Sequence, residues 1–200
     1  SRCITIMNCC TDRMTNKSRV ETNRFKLLFS SHIRQGRGLE SLMKIITDLK
    51  DSELIIAGRV RDENLHEKIT EIPNIRYVGL VLPDRLLELE LSSDALVALY
   101  DLNLQPIHKF GMANKILEAM MCGLPVITNI AIEIVKETES GIIVEYDNEG
   151  QLKEAIVSLK DKPELRKKLG ENARNAFLQK YNWPCMEERL FKLYDELLSS

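Results

Sequence analysis

No apolar run in this chain approaches the ~20 residues that a membrane-spanning helix needs, and its first residues show no apolar signal segment. The charges nearly cancel. Lys and Arg number 28 against 30 Asp and Glu, scattered rather than blocked, for a net charge of −2. Nucleic-acid binding and polybasic attachment to membranes therefore lack an electrostatic footprint. His32, His66 and His108 lie far apart, and neither His-x-x-x-His nor Asp-x-Asp occurs, so no metal site is expected. The five cysteines form no Cys-x-x-Cys pair, and Cys9 and Cys10 are adjacent, a spacing rarely bridged. Free thiols in a reducing, cytoplasmic setting are expected. No Gly-Lys-Ser/Thr marks a Walker loop, and Gly36 and Gly38 lack the third glycine of Gly-x-Gly-x-x-Gly. Both a P-loop enzyme and an ordinary NAD dehydrogenase are disfavoured.

What the chain has is a regular alternation. Two hundred residues with 44% apolar content suffice for one substantial core. Almost continuously apolar segments read as strands: 25–30, 53–58, 74–79, 95–100, 125–128 and 141–145. Between them, helical spacing predicts helices over 38–49, 62–70 (with Asp62 as cap), 84–91, the segment from Lys115, and 132–138. Strands apolar on both faces that alternate with helices predict a Rossmann-like, doubly wound parallel six-stranded sheet with helices on both faces. Three helices follow: 151–160, 163–181 and one from Trp183 that buries Leu190, Phe191, Tyr194 and Leu197. Upstream, Ile4 and Ile6 suggest a short strand. Residues 11–24 are polar, so 1–24 reads as a linker.

In such sheets ligands bind beyond the carboxyl ends of the strands, where helix N-termini present N–H groups to anions. The loops expected there carry His32, Arg34, Arg37, Arg59, Arg61, His108, Lys109 and Lys115, offset only by Asp62, Asp84 and Asp101. Gly36, Gly38, Gly58, Gly79 and Gly111 in the same loops let a backbone approach a ligand. A phosphorylated ligand fits this concentration of cations. The run KILEAMMCGLPVI, 115–127, sharpens the expectation. Ile116, Leu117, Met120 and Met121 share one helix face and point inward, leaving Lys115, Glu118, Ala119 and Cys122 on a face with two small residues, open to close approach. The alternative is a plain surface ion pair between Lys115 and Glu118.

These features together resemble the C-terminal, nucleotide-sugar-binding domain of retaining glycosyltransferases of the GT-B fold, group one, family four. The resemblance rests on Arg37-Gly38, Gly58, Gly79, Glu118 to Val126, Gly141, Trp183 and Tyr194, and covers nearly the whole chain. It implies half of a GT-B fold: 1–24 as interdomain segment, 25–182 as the nucleotide-sugar domain, and 183–200 as a helix crossing back to an N-terminal, acceptor-binding domain. It further implies retaining transfer of a sugar from a nucleoside diphosphate to an acceptor hydroxyl, without metal or cofactor, in cell-surface polysaccharide or glycoconjugate synthesis. This domain alone is then expected to bind the donor without transferring it. The location implied is cytoplasmic or peripheral at the inner face of a membrane, contacting lipid only through the absent domain.

The resemblance also assigns roles. Arg37 and Lys115 face the donor diphosphate as catalytic cations, with Asn114 and helix-start N–H groups beside them. Glu118 accepts hydrogen bonds from the ribose. Arg59, Val78, Gly79 and Leu80 line the base pocket, and His32, Arg34, Gly36 and Gly111 complete the phosphate loops. Two departures stand out: His32 replaces a second family arginine, and Phe110 replaces the first of two glutamates seven residues apart. Donor-sugar contacts then fall to Lys109, Phe110, His108 or backbone. An epimerase-like enzyme, which lacks its Asp-Ser-Gly-Gly here, and a non-catalytic nucleotide-binding module are the alternatives.

Overall fold

The computed structural model describes residues 4–14, 17–20, 23–61, 63–109 (Lys109 for its backbone only) and 113–199. Six parallel strands form one sheet: β1 (Phe25–Ser30), β2 (Ser52–Ala57), β3 (Ile75–Gly79), β4 (Ala95–Ala98), β5 (Val126–Thr128) and β6 (Gly141–Ile143), in the order β3-β2-β1-β4-β5-β6. The chain winds outward from β1 to β3, then returns to β4 on the other side of β1. The winding reverses between β1 and β4, where such sheets open a crevice.

Connecting helices are α1 (Leu39–Asp48), α2 (Glu63–Glu71), α3 (Pro83–Leu91), α4 (Asn114–Met121) and α5 (Ile132–Thr138), followed by α6 (Glu149–Asp161), α7 (Pro163–Gln179) and α8 (Trp183–Leu198). Side chains alternate along each strand, so one sheet face carries Leu28, Ile55, Leu96 and Val126 and the other Leu27, Leu54, Val97 and Ile127. α3, α4, α5 and part of α7 cover the first face; α1, Ile69 of α2 and α6 cover the second. Burial on both faces explains why the strands read as unbroken apolar runs.

Differences from the sequence reading have local causes. The fourth strand stops at Ala98 rather than Tyr100, because Tyr100 hands its backbone N–H and C=O to the side chain of Asn129 instead of a strand neighbour. The sixth helix starts at Glu149, since Asn148 accepts a hydrogen bond from Gln151 N at 3.1 Å and caps it. The cap expected from Asp62 lies outside the described residues.

Ile4 and Ile6 do not form a strand; residues 4–14 have no regular structure. The segment is nonetheless tied down. Cys9 is buried, Cys10 O accepts from Trp183 N at 3.0 Å, and Asp12 pairs with Arg174 at 3.0 and 2.7 Å. Arg19 donates to the carbonyls of Gly123 and Ser93.

The last helix does not bury its apolar stripe. Met186 is enclosed, but Phe191 is 57% exposed and Tyr194, Leu197 and Leu198 are also exposed. The helical spacing alone assigned that stripe to a core, but only Leu190 of the four is half-buried.

Candidate functional site

The loop after β1 carries the central cation. Gly38 starts α1 with φ 68°, a left-handed conformation that an L side chain resists, and a Cβ there would lie 2.9 Å from Leu99. The preceding turn is locked from across the sheet. Gly36 O accepts hydrogen bonds from Asp101 N at 2.9 Å and Gln105 Nε2 at 3.0 Å. Between these two glycines Arg37 is held almost entirely buried, its guanidinium over the Tyr100 ring at 4.0 Å from the centroid. Burial pulls its pKa down from the ordinary arginine value. Among the described residues its Nε and Nη1 have no hydrogen-bond partner, and neither does the buried Ser30 Oγ at the end of β1.

Lys115 comes from the opposite side. No side chain caps the start of α4, and from its second position Lys115 reaches across to donate to the Ser30 carbonyl. Burial, with the charge of Arg37 second, pushes its pKa down to about 7, against the opposing pull of Glu118. No ion pair joins Lys115 to Glu118, so the plain surface pair is not what this helix forms. Glu118, half-buried one turn further on, has no hydrogen bond to its carboxylate among the described residues and lines the cleft.

The expected open face of α4 is narrower than its spacing suggests. Ala119 and Cys122 are buried, not presented to a ligand. Cys122 Sγ donates to the buried carboxylate of Glu90 on α3, and Arg174 of α7 donates to Met121 O at 2.8 Å. Neighbouring helices occupy that side, a fact of tertiary packing that a helical wheel does not contain.

The cations surround a cleft of about 550 Å³ lined by Ser30, His32, Arg37, Tyr100, Lys115 and Glu118, with Ala57, Gly58, Arg59, Leu80, Val81 and Leu86 forming its far end. Gly58 is required there: its φ is 147°, and a Cβ would meet Ser31 O at 1.7 Å. Tyr77 braces the same loop, donating its hydroxyl to Gly58 O at 3.0 Å.

Of the residues expected at the site, His32, Arg37, Arg59, Leu80, Asn114, Lys115 and Glu118 converge on this cleft. Arg34 does not; it donates to Gln105 Oε1 at 2.9 Å. Gly36 sits behind the loop, Val78 packs on the core, and Gly79 lies beneath, accepting from Gly58 N. The Lys109 side chain, Phe110 and Gly111 lie outside the described residues.

Tyr100 and Ser30 are the additions. A tyrosine directly after an apolar strand was the available signal for the first; Ser30, ending its strand, offered none. His108 tilts over the Tyr100 ring at 4.1 Å, and burial plus Arg37, Arg34 and Lys115 lower its pKa. A larger cleft of about 970 Å³ adjoins at His108 and Asn114, walled by Met7, Asn8 and residues 129–134, without Arg37 or Lys115. Among the described residues no three His, Cys, Asp or Glu cluster as for a metal, and no helix is long and apolar enough to cross a membrane.

An uncharacterized glycosyltransferase, MJ1069 of Methanocaldococcus jannaschii, is 27% identical over 88% of this chain and 46% of its own length. The capsular polysaccharide biosynthesis glycosyltransferase CapM of Staphylococcus aureus is 26% identical over 87% of this chain and 47% of its length. The chain thus spans about half the length of the curated relatives it matches. The crystal structure of Anabaena Alr3699/HepE in complex with UDP shares the fold, with TM-score 0.71 and 16% identity over 87% of this chain and 49% of that one. The parallel six-stranded sheet is the Rossmann-like half of the GT-B architecture. The model of the glycosyl transferases group 1 matches residues 11–176, and with the fold and the cationic cleft both in place, the chain belongs to that family.

Proposed function

We propose that this chain is the donor-binding half of a retaining, metal-independent glycosyltransferase that moves a sugar from a nucleoside diphosphate to an acceptor hydroxyl. The observation that carries the reading is Arg37, with two buried nitrogen donors unpartnered among the described residues at the wall of a cleft that also holds Lys115. A buried donor without a partner is costly, and a diphosphate is the ligand that would satisfy both cations at once.

In this reading the base lies toward Gly58, Arg59, Leu80 and Val81, the ribose hydroxyls donate to Glu118, and the diphosphate meets Arg37, Lys115 and Ser30. As the glycosidic bond breaks, negative charge grows on the departing diphosphate. Arg37 and Lys115 stand where that charge develops and stabilise it more in the transition state than in the ground state. Two protein cations at this position do the work that a divalent ion performs in metal-dependent transfer, which supports a metal-independent reaction. The likeness to CapM supports a role in polysaccharide or glycoconjugate synthesis, and the UDP complex of HepE supports a nucleotide-sugar donor.

The acceptor site then belongs to an N-terminal domain, with residues 1–24 leading from it and α8 returning to it. The exposed Phe191, Tyr194 and Leu197 support that placement of α8. This half by itself binds donor without completing transfer.

Calorimetric titration with UDP, GDP and ADP, wild type beside Glu118→Ala, tests the reading. Selective binding of one nucleotide, weakened about tenfold or more in the variant, is expected from a lost charged hydrogen bond. Equal affinity in the variant would remove Glu118 from the ribose.

A further inference from the structure

We infer that Tyr100, clamped by Asn129, is the positioning residue that seats the cations of the cleft and leaves their donors free for phosphate. The inference rests on the donor-site reading above and goes beyond it, since nothing there requires an aromatic ring.

Three cationic or titratable side chains meet on this one ring. The guanidinium of Arg37 lies 4.0 Å from the ring centroid, the Lys115 ammonium 5.6 Å, and the His108 imidazole 4.1 Å at an angle of 52°. Such groups repel one another, and among the described residues no carboxylate forms an ion pair with Arg37 or Lys115. The ring face carries the negative lobe of the aromatic quadrupole, so it attracts cations without being an anion. That difference matters for function. A carboxylate partner would occupy the N–H groups of Arg37 and compete with an incoming phosphate. The ring holds the guanidinium without accepting its hydrogen bonds, and Nε and Nη1 are left unpaired here.

The ring must itself be held. Tyr100 lies two residues past the end of β4, where no strand ladder fixes it. Asn129, following β5, supplies the missing bonds: its Oδ1 accepts from Tyr100 N at 2.9 Å and its Nδ2 donates to Tyr100 O at 2.8 Å. Both residues are buried. The amide thus extends the ladder for one residue and sets the ring beneath the cleft.

The alternative is that Tyr100 only fills space. The two roles separate in phosphate discrimination. The chain is titrated with the diphosphate and the monophosphate of whichever nucleoside it binds best, for wild type, Tyr100→Met and Tyr100→Phe. Tyr100→Met, similar in bulk but without a π face, is expected to narrow the diphosphate-over-monophosphate preference about tenfold. Tyr100→Phe, which keeps the face, restores the preference to within about twofold. An unchanged preference in Tyr100→Met, or a Phe variant as impaired as Met, overturns the inference while leaving the donor site standing. If wild type binds no nucleotide, the donor-site reading falls and the inference with it. Should Tyr100→Met fail to fold by circular dichroism, Asn129→Ser loosens the clamp with the ring intact and must narrow the same preference.

Discussion

Lys115, near the start of α4, donates its ammonium to the carbonyl of Ser30 at the end of β1. This bond spans the point where the sheet reverses its winding, and it joins the two elements that a donor would have to bridge. The lysine is largely removed from water and lies close to Arg37, which pushes its pKa down to about 7. Its charge is therefore poised near neutrality.

Nucleotide binding should take up a proton. A diphosphate beside Lys115 favours the ammonium and raises its pKa, so above pH 7 the bound state holds more protons than the free one. Affinity is expected to fall as pH rises from about 7 to 9, by up to tenfold per unit for one linked proton. Titration at pH 8 in buffers of different ionisation enthalpy should show uptake, and at pH 6 almost none. Equal heats across buffers at pH 8 would contradict the assignment.

The same lysine shapes stability. Its folded pKa lies below the unfolded value, so the unfolded chain binds more protons between about pH 7 and 10, and stability rises with pH across that window. Lys115→Met removes the buried ammonium and should raise stability by on the order of 2 kcal/mol at pH 6, with the gain shrinking toward pH 9. Thermal unfolding at the two pH values measures the difference. A variant less stable than wild type at pH 6 would count against it.

Glu90 should have the opposite slope. It is wholly buried between α3 and α4, its Oε1 lacks a partner, and burial, with Glu118 second, raises its pKa to about 8. The folded state therefore holds a proton that the unfolded chain releases above about pH 4.5, and stability from this group is lost as pH rises toward 8. Glu90→Gln, which stays neutral, should flatten the decline and be the more stable protein at pH 8 by on the order of 2 kcal/mol. Denaturant unfolding at pH 5 and pH 8 provides the comparison; identical pH profiles would refute it.

Arg37 and Glu118 should fail differently in the complete enzyme. On the proposed reading, Arg37→Ala removes a donor to the leaving diphosphate and should lower kcat about a hundredfold. On the same reading, Glu118→Ala removes a ground-state contact to ribose and should raise donor KM, by roughly 1.5–3 kcal/mol of binding, with kcat less affected. Steady-state kinetics with varied donor separate the two. The reverse pattern would exchange their roles.

Gly58→Ala tests the backbone under the cleft. The added Cβ would overlap Ser31 O at 1.7 Å; the backbone fixes the Cβ and Ser31 O is main chain, so neither can swing aside. A loss of about 3 kcal/mol is expected, read as a drop in Tm together with weaker nucleotide binding. A variant with wild-type Tm would show that the β1 and β2 loops are less tightly apposed than described.

The periodicities of this chain were enough to predict six strands, their alternation with helices and the end of the sheet where cations gather. Apolar residues on both faces of a strand leave only a covered parallel sheet as a solution, so that much is local information. That Arg37, Lys115 and Glu118 line one cleft was also legible, because loop position and family resemblance both marked them. Tertiary structure alone decided what surrounds them. Which helix lies over Ala119 and Cys122, and which side chain finishes the backbone of Tyr100, depend on residues distant in sequence, Glu90, Arg174 and Asn129. Arg34 reads as a phosphate ligand until Gln105 is brought beside it, 71 positions away. Residues 9–12 look unfit for a core, yet they are anchored by Trp183 and Arg174. A sequence pattern records which faces must be buried. It does not record which partner buries them, and in this protein the partners set both the charge of Lys115 and the free donors of Arg37.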